Sequence, residues 1–165
     1  MYDLLIKDGQ VSDGSGQPLR QVDVAISKDT IARIGTVESK EVSRVIHARG
    51  RVISPGFIDI HSHADLTLPI EPEAASLIHQ GITTAVVGQC GHTLAPLLDK
   101  TRTEVIATQT PQGVTLPWEK WSTYESFLNY LTGLKISVNV VPLVGQEQSA
   151  DRSWDLWRED QRRKK

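Results

Sequence analysis

Residues 55–65, Pro-Gly-Phe-Ile-Asp-Ile-His-Ser-His-Ala-Asp, divide this chain into two rhythms of hydrophobicity, and that division constrains the fold more than any other feature. Before it, from Tyr2 to Ile53, apolar residues come in short alternating runs broken by turn chemistry. Leu4 to Ile6 precede Asp8-Gly9, a Gly14-Ser15-Gly16 loop follows, and Val22, Val24 and Ile26 alternate with polar neighbours. Lys28-Asp29-Thr30 turns the chain into Ile31 to Ile34, and Arg49-Gly50 separates Val45-Ile46 from Val52-Ile53. Residues 1–54 are therefore expected to form a small antiparallel β unit that serves as a scaffold without chemistry of its own.

After Pro55-Gly56 the pattern changes to strand, helix, strand, helix, strand, the signature of βα units that build a parallel sheet. The first strand is expected over Phe57 to His61 and a helix over Pro72 to Gln80, with Pro and acid in its first turn and Gly81 as its stop. A second strand spans Thr83 to Val87. A second helix starts at Ser122, where Ser-Thr-Tyr-Glu reads as a capping box with Glu125 reaching back to the cap amide. Its residues Tyr124, Phe127, Leu128, Leu131 and Leu134 recur at helical spacing and mark a core stripe. A third strand covers Ile136 to Val144, weakened at its far end by Pro142.

The chemistry-bearing residues sit at the ends of these strands. In an extended strand alternate side chains share a face, so His61 and His63 project together and their imidazoles can converge on one metal ion. The one cysteine, Cys90, closes the run Thr83-Thr84-Ala85-Val86-Val87-Gly88-Gln89-Cys90-Gly91 and adds a thiolate if the two strands are neighbours. Parallel α/β architectures gather function at the carboxyl ends of strands, where His61, His63 and Cys90 all fall. Each residue also has a plain reading: two surface histidines, and a buried small hydrophobe. Asp59 shares the face of the histidines and either orients an imidazole from behind or is held by backbone amides. His92, two residues past Cys90, either reaches the same mouth or is a solvated loop residue. His47 and His79 read as surface residues. Trp118 and Trp121 either pack the entry of the second helix or line a substrate mouth.

Composition excludes several classes. A net charge of −2 and a short, mixed Arg162–Lys165 terminus argue against a nucleic-acid surface. No apolar run approaches 18 residues and the first residues break into charge at once, so neither a membrane span nor a signal peptide is expected. A single cysteine excludes an internal disulfide framework and fits a reducing cytoplasm.

With these residues in hand, the chain resembles the amidohydrolase superfamily and, within it, the N-acyl-D-amino-acid deacylases (D-aminoacylases). The stretches that carry the likeness are Tyr2-Asp3-Leu4-Leu5-Ile6-Lys7-Asp8-Gly9, residues 55–65, residues 81–91 and Val138-Asn139-Val140-Val141-Pro142-Leu143-Val144-Gly145. His-x-His marks only the superfamily, whereas the cysteine loop followed by Leu94-Ala95-Pro96-Leu97 is more specific. The resemblance implies a metal-dependent (β/α)₈ barrel with a small β-sandwich domain. In such enzymes zinc polarises the acyl carbonyl of a small N-acyl amino acid, and an aspartate general base moves the proton to the leaving amine. Carried over to this sequence, His61, His63 and Cys90 match metal positions. The further histidine ligands and the general-base aspartate have no counterpart.

A complete barrel takes roughly 250 residues, and residues 55–145 hold material for about three strands. The implied fold is thus α/β: the N-terminal segment of a β-sandwich plus the first strands and helices of an incomplete barrel. Its open edge predicts self-association or dependence on a complementary fragment. Residues 146–165 depart from the family pattern: 11 of these 20 residues are charged, without helical or strand periodicity. A one-nucleotide frameshift after the Gly145 codon would account for this tail; a natural charged tail with Trp154 and Trp157 as a small apolar cluster on a charged helix is the alternative. Functionally the expectation is an amidohydrolase fragment inactive alone, set against a metal-binding or interaction remnant and against a structural role in which the histidines are incidental.

Overall fold

The computed structural model describes residues 2–38, 42–91, 93–96, 103, 106–107, 110 and 112–144. It contains two compact units, one ending at Pro55 and one beginning at Gly56, and their strands and helices make a mixed α/β fold.

The first unit holds β1 (Tyr2–Lys7), β2 (Gln10–Val11), β3 (Arg20–Gln21), β4 (Asp23–Ser27), β5 (Thr30–Gly35), β6 (Val42–His47) and β7 (Val52–Ile53). They form one sheet of order β5-β4-β1-β6 and another of order β3-β2-β7. Pairs β1/β4, β4/β5 and β2/β3 are antiparallel. However, β6 runs parallel to β1 and β7 parallel to β2, so the unit is mixed and not purely antiparallel as its turns imply. A tight turn yields only an antiparallel neighbour, whereas a strand reached by crossing over other strands can run the same way. The period-2 pattern is identical in both cases and does not distinguish them. Leu5, Ala25 and Val37 form the small core here, with Tyr2, Val42 and Val45 against it.

The second unit holds β8 (Phe57–Asp59), α1 (Ala64–Thr67), α2 (Ala75–Ile78), β9 (Ile82–Val87), α3 (Tyr124–Gly133) and β10 (Asn139–Pro142). Its three strands are parallel and neighbours in chain order, β10-β9-β8, with helices in the connections. Ala85, Val87 and Val140 turn one face of the sheet into a core shared with Leu68, Leu94, Phe127 and Leu131. Trp121 is fully buried and meets Trp118, Phe127 and Tyr130 edge-on at centroid separations of 5.1, 5.2 and 5.2 Å, the geometry aromatic quadrupoles favour. Both tryptophans therefore pack the entry of α3 and do not line a mouth. Gly88 has φ +82°, and a Cβ there would overlap the Leu143 carbonyl, so the end of β9 approaches the chain beyond β10 in a way only glycine permits.

Several boundaries differ from those the sequence implies. Strand β8 stops at Asp59, short of His61. Helix α2 covers only Ala75–Ile78 because Ala74, at φ 47°, breaks the backbone ahead of it and leaves Pro72-Glu73 in a turn. The cap of α3 is Thr123, not Ser122. Its Oγ1 accepts from the Ser126 amide at 3.0 Å while Ser126 Oγ accepts from the Thr123 amide at 3.1 Å, so a serine closes the box in place of Glu125. Strand β10 is shorter than 136–144, since the Ile136 amide is spent on the Leu134 carbonyl at 2.8 Å. The tail expected over 146–165 and His92 lie outside the described residues. Among the described residues no helix is long and apolar enough to cross a membrane.

Candidate metal centre

His61 and His63 stand on the loop that leaves β8, and His63 is the residue from which α1 starts. They are therefore not alternate residues of a strand, and their convergence is set by the loop. Their ring centroids are 5.8 Å apart with planes at 64°. Cys90 lies in a short 3-10 turn after β9, at φ 56°, a left-handed conformation unusual for a residue with a Cβ. That turn carries its sulfur to 3.3 Å from His61 Nε2. One ligand atom from each of His61, His63 and Cys90 falls within 4.8 Å of the other two.

This donor set fits a small, borderline-soft cation. Zinc holds nitrogen at about 2.0–2.1 Å and sulfur at about 2.3 Å in a tetrahedron, which separates neighbouring ligand atoms by roughly 3.5 Å. The Cys90 sulfur and His61 Nε2 already stand at 3.3 Å, the whole trio lies within 4.8 Å, and a set of three protein ligands would leave a fourth position open.

The supporting interactions tie the two loops together. The Ser62 amide donates to the Val86 carbonyl at 3.0 Å, and the Ala64 amide donates to Ser62 Oγ at 3.3 Å. Asp59 Oδ1 accepts from the His61 backbone amide at 3.1 Å, so the acid steadies the loop through its backbone. The Gln89 carboxamide donates to the Ile60 carbonyl at 3.0 Å and to the Val86 carbonyl at 3.4 Å. Tyr124 Oη donates to the Leu143 carbonyl at 2.7 Å. A cavity of about 190 Å³ opens beside His63, lined also by Ser62, Thr67, Glu71, Ser76 and Leu77.

Three contributors escape a reading of the sequence: Asp65, Gln89 and Ser62. Asp65 is 1% exposed, and neither carboxyl oxygen has a hydrogen-bond partner among the described residues. Burial pushes this carboxyl up to about 6, while the nearby amides of Asp65, Gly88 and Leu66 pull the other way without reaching bonding geometry. The Tyr124 hydroxyl is raised by its own burial and then by the Asp65 charge. An acid in the first turn of a helix reads as exposed and dipole-favoured, so only the packing around it reveals Asp65. Away from this centre, His79 is exposed as expected, and exposed His47 pairs through Nδ1 with Asp8 Oδ2 at 2.7 Å.

No family model matches the chain. It is 39% identical over 147 residues to the N-acyl-D-aspartate deacylase of Alcaligenes xylosoxydans xylosoxydans, a match that covers 87% of this chain and 28% of that protein. To the D-aminoacylase of the same organism it is 35% identical over 148 residues, 87% of this chain and 29% of that one. Among solved structures, the N-acyl-D-glutamate deacylase of Bordetella bronchiseptica, complexed with zinc and a phosphonate inhibitor, matches at TM-score 0.77 and 31% identity, over 92% of this chain and 32% of that chain. A D-aminoacylase described with a binuclear metal centre matches at TM-score 0.76 and 31% identity, over 90% of this chain and 30% of that chain. The chain thus spans about 30% of the length of these relatives.

Proposed function

We propose that this chain, similar over most of its length to the N-acyl-D-amino-acid deacylases of the amidohydrolase family, corresponds to their N-terminal part and supplies the first metal-binding segment of such an enzyme. On this reading the unit ending at Pro55 is part of a small β-sandwich, and the unit beginning at Gly56 is the opening of a (β/α)₈ barrel. His61, His63 and Cys90 hold zinc, and Asp59 steadies the loop that presents the histidines. The observation that carries the proposal is the meeting of the three donor atoms within 4.8 Å of one another.

Bound zinc supplies Lewis acidity toward an amide carbonyl and acidifies water. The chain's own residues orient the ion: the loop after β8 presents two imidazoles, the turn after β9 presents the thiol, and the cavity beside His63 leaves room for part of a small N-acyl amino acid. An aspartate to take the proton, and further histidine ligands, have no counterpart among these residues. The chain by itself therefore holds metal without completing the hydrolysis to a D-amino acid and a carboxylate. The second reading, an interaction module that joins a complementary fragment or another copy, is favoured by apolar residues left exposed on the sheet: Ile58 at 63% and Val141 at 47%. A lone thiol stays available as a ligand in the reducing cytoplasm, where we place the protein.

Zinc titration of the purified chain against His61→Ala/His63→Ala tests the centre. The double variant should lose at least about ten-fold in affinity, and undiminished binding would exclude these histidines. Release of amino acid from an N-acetyl-D-amino acid by the zinc-loaded chain alone would overturn its incompleteness.

A further inference from the structure

The cysteine and the two histidines come from different loops, and the loop hydrogen bonds converge on two carbonyl groups. One is Ile60, immediately before His61; the other is Val86, near the end of β9, which already accepts the Ser62 amide. The Gln89 side chain donates to both, at 3.0 and 3.4 Å, and its backbone carries straight into Cys90. A primary amide is suited to this position because it offers two N–H donors and spans two acceptors.

We propose that Gln89 is a positioning residue for the metal centre: its carboxamide clamps the cysteine turn to the histidine loop and thereby sets the distance between Cys90 Sγ and His61 Nε2. This rests on the reading of His61, His63 and Cys90 as ligands. The clamp lies near solvent: Ile60 is 76% exposed and Gln89 is partly so. Water replaces its hydrogen bonds when the side chain is removed, and little stability is lost. Metal ligation is less forgiving, because bond lengths tolerate only about ±0.2 Å and Cys90 occupies a left-handed backbone conformation directly after Gln89. A structural contact and a positioning contact therefore predict different results. The first lowers stability and metal affinity together; the second lowers affinity while leaving the fold intact.

The test uses the full chain as wild type, Gln89→Ala, Gln89→Glu and, as the reference for lost thiolate ligation, Cys90→Ser. Cobalt(II) titration reads the thiolate-to-cobalt charge-transfer band, competition with a chromophoric chelator reads zinc affinity, and thermal unfolding of the metal-free proteins reads the fold. Gln89→Ala should weaken zinc about ten-fold or more and reduce the band toward that of Cys90→Ser, with an unfolding midpoint close to wild type. Gln89→Glu should be worse than Gln89→Ala, since a carboxylate faces the two carbonyl oxygens. Wild-type-like affinity and band in both variants would overturn the clamp and leave the metal centre standing. A fall in affinity matched by loss of the fold would overturn positioning in favour of a structural contact. A wild-type chain that binds no cobalt or zinc would remove the centre and the clamp with it.

Discussion

Asp65 shows how one residue can carry a cost that its neighbours do not repay. A carboxyl group 1% exposed, with no hydrogen-bond partner among the described residues, resists ionisation, because the nearby amides only partly offset the hydration an ionised group loses there. Asp65→Asn keeps the shape and removes the charge. In the metal-free chain at neutral pH it should raise stability by about 1–3 kcal/mol, read as a higher denaturant midpoint with an unchanged slope. A lower midpoint would mean that the amides of Asp65, Gly88 and Leu66 outweigh the desolvation of the carboxylate. The candidate ligands His61, His63 and Cys90 were legible in the sequence because strand ends and ligand types are local signals. Asp65 and Gln89 were not, because burial and bridging depend on what the fold places beside them.

Among the elements, α3 has the best-defined start. Thr123 and Ser126 satisfy each other's amides, so Thr123→Ala should cost about 1 kcal/mol, seen as a lower unfolding midpoint, whereas Ser122→Ala should be near neutral. In the first unit the Asp8–His47 pair joins the ends of β1 and β6. The hydrogen bond from His47, more than its charge, holds the Asp8 carboxyl below its ordinary value. A depressed carboxylate contributes stability above its ordinary range, which is lost as pH falls through its lower folded value. Acid titration followed by circular dichroism should therefore show Asp8→Asn less stable than wild type at pH values above the ordinary carboxylate range and the two converging as the pH falls below it. An equal gap above and below that range would assign the effect to something other than this carboxylate. The short α1 was not foreseen, whereas the types of β8, α2, β9, α3 and β10 were read correctly from period and turn chemistry. Their ends were not, because Ala74 in a left-handed conformation and the spent Ile136 amide are outcomes of packing and not of propensity.

At the scale of the whole molecule, the parallel sheet of the second unit buries one face and exposes the other. Ala85, Val87 and Val140 turn inward, so by strand alternation Ile58, Val86 and Val141 share the opposite face, with Ile58 and Val141 exposed. An apolar sheet face of this kind invites association. Ile58→Lys with Val141→Lys should raise the concentration at which light scattering sets in, without lowering the unfolding midpoint, because neither side chain contributes to the buried core. Unchanged scattering would locate the adhesive surface elsewhere. The likeness to N-acyl-D-amino-acid deacylases, read from four stretches of residues, holds over most of the chain.

What the sequence alone determined is chemistry and rhythm: the candidate ligand types, their place after two apolar strands, the switch from alternating strands to βα units, and the kinship these imply. Such signals are written within a few consecutive residues. Tertiary structure alone decided the parallel placement of β6 and β7, the loop origin of the histidine convergence, the left-handed turn that swings Cys90 to 3.3 Å from His61, and the burial of Asp65. Each of these depends on residues tens of positions apart sharing one volume, and close packing and hydrogen-bond satisfaction choose among arrangements that local pattern leaves equivalent.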